Sequence, residues 1–111
     1  MEYPIDRYAM ESKRQLDVLD RQLAKREYIC GVDYSIADIA IWAWYGQLVL
    51  GNVYSATEFL STDSYVHVNR WAQQIVERVA VKRGRCVNRA FGPEDKQLKE
   101  RHSASDIDVL M

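Results

Sequence analysis

The stretch Tyr34–Asn52, YSIADIAIWAWYGQLVLGN, holds a single carboxylate, Asp38, in a run that is otherwise almost wholly apolar. Ser35 stands three residues before it. A serine followed three positions later by a short acid is a capping box. The hydroxyl accepts from the amide of the third helical residue, and the carboxylate accepts from the amide of the cap. This spacing predicts a helix from Ile36 to about Leu50 that begins at Ser35. Tyr34 and Ile39 flank the cap in the positions of a hydrophobic staple, and the charge meets the positive end of the helix dipole. Such a cap is worth roughly 0.5–2 kcal/mol. Asp38 is therefore read as structural. The predicted helix is apolar nearly all round, so it is expected at the centre, covered by others. Gly46 within it marks a bend or a close helix crossing.

Working outward, PIDRYAMESKRQLDVLDRQLAKR (residues 4–26) begins with a proline suited to a first turn. Ile5, Tyr8, Ser12, Leu16, Leu19 and Leu23 recur at steps of three and four, the stripe of a long amphipathic helix. Asp17 and Arg21 form an i,i+4 pair of opposite sign. Downstream, SATEFL (residues 55–60) carries a Ser55-x-x-Glu58 start and predicts a short helix. A long helix is expected over Tyr65–Arg78 with Val68, Trp71, Ala72, Ile75 and Val79 as its apolar stripe, and a further one over Ala80–Arg89. From Phe91 onward charges dominate, with a turn or two of helix expected around Glu94–Arg101. No alternating stretch bounded by hairpin turns occurs, so the fold class is all-α. The organisation read from this is a helical domain over residues 1–90 and a charged tail over 91–111.

The chain has 111 residues and a formal net charge of −1, a balance that argues against a general nucleic-acid or membrane-surface binder. The apolar run Ile36–Leu50 falls about five residues short of a bilayer span, and no signal peptide precedes it. The expectation is a soluble, cytoplasmic protein. Cys30 and Cys86 are read as reduced, buried thiols. His67 and His102 offer no metal site, and no Ser-His-Asp or activated-cysteine arrangement can be argued, so no catalytic residue is assigned. The basic cluster Lys82, Arg83, Arg85 and Arg89 lacks the interleaved aromatics of an RNA platform. It is read as a solvated face partly neutralised by Glu94 and Asp95.

Three motifs together carry a family resemblance. YICGVDYSIADIAIWAW (residues 28–44) resembles the signature of the glutathione transferase C-terminal domain. HVNRWAQQIVERVAVKRG (residues 67–84) resembles that family's next landmark, an Arg-Trp pair followed by a helix junction, with Val79 where the family usually has proline. YPIDRYAMESKRQLDVLDRQL (residues 3–23) is similar to the long helix before the core helix. With GPEDKQLKERHSASD (residues 92–106), the whole chain is most similar to the bacterial nu-class glutathione-dependent disulfide-bond oxidoreductases.

The resemblance implies the helical half of a two-domain enzyme whose thioredoxin-like half binds the co-substrate glutathione. It also implies homodimerisation. No pattern for the thioredoxin-like half is present, so little turnover is expected of this chain alone. By resemblance, Arg7 reaches glutathione, the alternative being a solvated arginine paired with Glu11. Of Trp42, Trp44 and Tyr45, at least two are expected in the core, with Trp42 and Tyr45 the candidates for a substrate-pocket wall. The second functional reading is a non-catalytic interaction or dimerisation module of the same family.

Overall fold

Ile5, Tyr8, Ser12, Leu16, Leu19 and Leu23 do lie on one helix, α1 (Glu2–Leu23), with Pro4 in its first turn. The computed structural model describes residues 2–53, 55–87, 89, 92–99 and 101–111. The chain divides into two units, Met1–Gln74 and Ile75–Met111. The composition boundary expected between Ala90 and Phe91 falls outside the described residues.

In the first unit α1 is followed by α2 (Ile36–Ile41), a π-helical turn (Trp42–Gly46), α3 (Gln47–Val49) and a 3-10 turn (Thr62–Ser64). The helix α4 (Val66–Val76) then crosses into the second unit. That unit continues with α5 (Val79–Gly84), a 3-10 turn (Glu94–Lys96) and α6 (Ala104–Leu110). Among the described residues the structure is helices and turns, apart from one isolated bridge between Tyr28 and Gly31.

Asp38 is fully buried. Its Oδ2 accepts from the Ser35 amide at 2.9 Å and the Ser35 hydroxyl at 3.3 Å. Its Oδ1 accepts from the Ile29 amide at 3.0 Å and the Trp71 indole Nε1 at 2.8 Å. Ser35 and Asp38 thus form the capping box at the start of α2. The Asp38 amide also meets the Ser35 carbonyl at 3.0 Å. Burial pushes the Asp38 carboxyl up, but the bonds from Ile29, Trp71 and Ser35 outweigh it and hold the group below the ordinary aspartate range.

A second pair of contacts joins α1 to α4. Asp20 Oδ1 accepts from the amides of His67 and Val68 at 2.9 and 3.0 Å, which caps α4. In return Arg70 donates to the carbonyls of Glu27, Arg26 and Leu23 at 2.8, 3.0 and 3.1 Å, which caps the end of α1. Each helix supplies a charge of the sign the other's dipole favours. Leu16, Leu19 and Leu23 on α1 and Val68, Trp71 and Ala72 on α4 are buried. Burial of each of these leucines and of Val68 contributes roughly 1.5–3 kcal/mol.

The predicted core helix departs from expectation in two ways. It is not sheathed all round: Asp38, Trp42, Gly46 and Val49 are buried, while Ile36, Ile39 and Trp44 are more than half exposed. Nor is it one regular helix. The Gln47 amide reaches back to the Trp42 carbonyl, five residues away, so one turn takes an extra residue. Gly46 permits this turn. A Cβ built there would clash with Cδ1 of the Trp42 ring. The close approach expected at Gly46 is thus made by an indole of its own helix. That indole donates to the Ala72 carbonyl at 3.1 Å. The helix ends in a Schellman motif: Gly51 at φ 78°, its amide to the Leu48 carbonyl and the Asn52 amide to the Gln47 carbonyl.

Other expectations are corrected. Tyr34 meets Tyr28 edge-on at 5.7 Å, and its expected staple partner Ile39 is 55% exposed. Residues 55–60 form turns, because Ser55 takes a positive φ of 47° that no helix start uses. Val79 is 65% exposed and begins α5, since Arg78 is extended and breaks the chain there without a proline. The first helical position Val79 occupies is the one proline suits. Cys30 is exposed; Cys86 is buried, and both are free thiols. In the second unit α6 was not anticipated. It starts on a further capping box, Ser103 and Asp106, with the Ser103 amide 2.8 Å from Asp106 Oδ2.

Two predictions follow from these contacts. Asp38→Asn should cost about 2–4 kcal/mol at pH 7, because the ionised acceptor of these bonds is lost. The depressed carboxyl contributes stability above its unfolded value that disappears as pH falls through its folded value, below about pH 4. Urea unfolding should therefore show the gap between wild type and variant at pH 7 and its narrowing toward pH 3; a gap constant over that range would refute the ionised assignment. Gly46→Ala should cost on the order of 2 kcal/mol by forcing the Trp42 ring off its site. A thermal melt indistinguishable from wild type would show that the ring does not lie over Gly46.

Candidate functional site

Among the described residues the N-terminal half of the α1 stripe is left exposed. Ile5 and Tyr8, on the same face as the buried leucines, are 58% and 67% exposed. They form one wall of a cavity of about 640 Å³ together with Ala9 and Ser12. Ala43, Trp44 and Tyr45 of the π-helical turn and Leu48 of α3 form the second wall. Val53, Ala56, Phe59 and Leu60, from the turns that follow, close it. Among the described residues the polar side-chain atoms in this wall are the hydroxyls of Tyr8, Ser12 and Tyr45 and the indole N–H of Trp44, and none of those side chains is charged. The volume is that of a small-molecule pocket, and the chemistry is that of a site for an apolar group with a few hydroxyl donors.

The π-helical turn sets which aromatic faces this cavity. Trp42 points into the core, where its ring is buried and bonded to Ala72. It lines neither this cavity nor the smaller one beside it. Trp42, expected on the wall, is thus a core residue, and Trp44, 72% exposed, stands on the wall instead. Tyr45 is on the wall as expected. It also borders the neighbouring cavity of about 390 Å³, which Arg14, Gln15, Gln22 and Ile29 help line.

Beside Tyr45 lies a tight polar group on α1. Arg14 donates to both oxygens of Glu11 at 2.9 and 2.6 Å, and Gln15 adds a bond at 3.0 Å. These bonds, Arg14 first, hold the Glu11 carboxyl at about 2. Burial and then the Glu11 charge push the Tyr45 phenol up, with Arg14 opposing. At neutral pH Tyr45 is a neutral O–H donor and no phenolate.

Arg7 sits on α1 outside the cavity wall, exposed to solvent. The pairing with Glu11 considered from sequence is not made, because Arg14 and Gln15 occupy that carboxylate. Ile5, Tyr8, Phe59 and Leu60 were not singled out as site residues from sequence. Ile5 and Tyr8 were legible as part of a stripe, but nothing local distinguished its covered half from its open half.

The family model described as "Glutathione S-transferase, C-terminal domain" matches residues 2–74, which coincides with the first unit. The chain is 58% identical over 109 residues to the disulfide-bond oxidoreductase YghU of Escherichia coli, covering 98% of this chain and 38% of that one. It is 52% identical over 84 residues to an uncharacterized GST-like protein of Streptococcus mutans, covering 75% and 32%. A crystal structure of glutathione transferase YghU from Streptococcus pneumoniae, complexed with glutathione, matches with a TM-score of 0.77 and 58% identity over 78% of this chain and 34% of that one. The chain thus spans about a third of the length of the curated relatives it matches. With the helical fold, the Ser35–Asp38 box and the Arg70–Trp71 pair in place, the chain belongs to the glutathione S-transferase C-terminal domain family.

Proposed function

We propose that this chain is the helical half of a glutathione-dependent disulfide oxidoreductase. In this reading its cavity holds the part of the substrate that is not glutathione. The observation that carries the reading is the joint one of 58% identity to a disulfide-bond oxidoreductase over 98% of the chain and an open apolar cavity. The reaction class is thiol–disulfide exchange, in which a thiolate attacks one sulfur of a disulfide and expels the other as thiolate. This chain supplies no nucleophile to that step in the reading. It supplies a wall that keeps water off the disulfide's apolar substituent, with the Tyr8, Ser12 and Tyr45 hydroxyls as orienting donors.

Glutathione itself carries carboxylates and an ammonium, and among the described residues the cavity wall has no charged side chain to meet them. Its recognition is therefore assigned elsewhere, with Arg7 contributing one guanidinium to a carboxylate by parallel charge-assisted bonds. The isolated chain is accordingly expected to turn over little glutathione. Cytoplasmic location, the setting in which thiols are kept reduced, fits this chemistry.

A second reading, a dimerisation module, is favoured by the contiguous exposed side chains of Ile5, Tyr8, Trp44 and Phe59. Exposed apolar area of this kind marks an interaction surface. In it the same face seats a second copy of the chain as a homodimer. Light scattering separates the two: a monomer at high protein concentration counts against self-association.

The substrate reading is tested by titrating the chain with glutathione and with S-alkyl glutathione conjugates of increasing length, followed by Trp44 fluorescence and calorimetry. Plain glutathione should bind with a Kd above about 1 mM. Each added methylene should improve binding by up to about 0.8 kcal/mol, and Trp44→Ala should remove most of that increment. Affinity independent of alkyl length would overturn the role of the cavity. Micromolar binding of plain glutathione would overturn the assignment of its charges to other groups.

A further inference from the structure

We infer that α6 is a releasable strap of the second unit, clasped to α5 by the side chain of Arg83, and that its release bares the buried thiol of Cys86. An isolated helix of about two turns has little stability of its own. α6 has seven residues; its start is fixed by the Ser103–Asp106 box, and none of its side chains is buried. Ile107 and Leu110 are half-covered, and Ala104, Asp108 and Val109 are exposed. Apolar burial therefore contributes little to holding this helix in place.

Arg83 supplies the hold. Ala104, Asp108 and Met111 recur at steps of four and three, so they share one stripe of the helix end. Arg83 meets all three. It forms an ion pair with Asp108, donates to the Ala104 carbonyl at 3.4 Å and reaches the Met111 sulfur at 3.9 Å. Among the described residues every hydrogen bond and ion pair between α5 and α6 runs to this guanidinium. Asp106 is engaged by the Ser103 amide at 2.8 Å, and Lys82, the other cation of α5, pairs with Glu77 at 3.1 Å. The Asp108 side chain is 61% exposed, so the ion pair stands where salt screens it and its strength is small.

The strap has something to uncover. Cys86 is 4% exposed, and its thiol donates to the Lys82 carbonyl at 3.4 Å. It lines a cavity of about 510 Å³ to which Leu110 and Met111 also contribute. Lifting α6 takes both of these away from the wall and admits solvent to the thiol. A short helix held by one weak clasp belongs to the low-stability end of a fold, where segments open locally without global unfolding.

The test uses the whole chain carrying Cys30→Ser, a change at an exposed position that leaves Cys86 as its one thiol. Alkylation by N-ethylmaleimide, an uncharged reagent, is followed by mass spectrometry. The rate should rise about two- to fivefold between about 10 mM and about 1 M sodium chloride, as the Debye length falls from about 30 Å to about 3 Å. Arg83→Ala and Asp108→Asn should each raise the low-salt rate at least about threefold and remove most of the salt dependence. Arg83→Lys, which keeps the charge and loses the fork, should fall between. Hydrogen exchange of the α6 amides should quicken in step while the α4 amides stay protected, which separates release of the strap from unfolding of the chain. A rate indifferent to salt and to both variants, or equal loss of protection in α4 and α6, would overturn the inference.

Discussion

A fully buried carboxylate that accepts bonds from a loop amide, a helix cap and a distant indole is the constraint on which the first unit turns. Removing an ion such as Asp38 from water costs several kcal/mol even after relaxation. Hydrogen bonds to a charged group return roughly 1.5–3 kcal/mol each. Only the full set outweighs the burial, so the geometry is cooperative. The Ile29 amide, the Ser35 cap and the Trp71 ring must all arrive for the charge to be tolerated. This one group therefore fixes the loop between α1 and α2, the start of α2 and the rotation of α4 together. Asp20 and Arg70 complete the frame by capping α4 and α1 reciprocally.

How much of this is legible in the sequence depends on how far apart the partners lie. Ser35 and Asp38 are three residues apart, and their pairing follows from local chemistry. Trp71 and Asp38 are 33 residues apart, and Arg70 reaches carbonyls 43 to 47 residues away. No periodicity encodes such contacts, although the Arg70-Trp71 pair was noticed as a landmark. The α1 stripe was readable as a face, but its division into a packed half at Leu16–Leu23 and an open half at Ile5 and Tyr8 is a tertiary fact. Asp106 shows a different failure. It stands to Ser103 as Asp38 stands to Ser35, but the surrounding charges hid the helix start that the same spacing revealed earlier in the chain.

The phase of the core helix was the hardest feature to foresee. A pattern read at 3.6 residues per turn places Trp42 and Tyr45 as neighbours on one face. The extra residue in the π-helical turn breaks that phase between them. Trp42 folds back over Gly46 into the core, and Trp44 and Tyr45 turn toward the cavity. Such turns concentrate at functional sites. Here the reason is mechanical: one helix serves a buried polar hub at its start and an open aromatic wall one turn later, and a change of phase separates the two duties.

The charge of the first unit's cavity narrows what it accepts. A wall of aromatics and aliphatics whose described donors are three hydroxyls and one indole N–H offers a carboxylate neutral partners only in place of its hydration, so a charged ligand group is disfavoured there. Under the proposed function this makes the first unit a reader of the substrate's uncharged portion. Discrimination among disulfides then rests on how much apolar surface each buries against Trp44, Tyr8 and Phe59, a graded quantity. A buried polar partner, which would reject outright any substrate unable to pair with it, is missing from that wall among the described residues, so breadth of substrate follows from its composition.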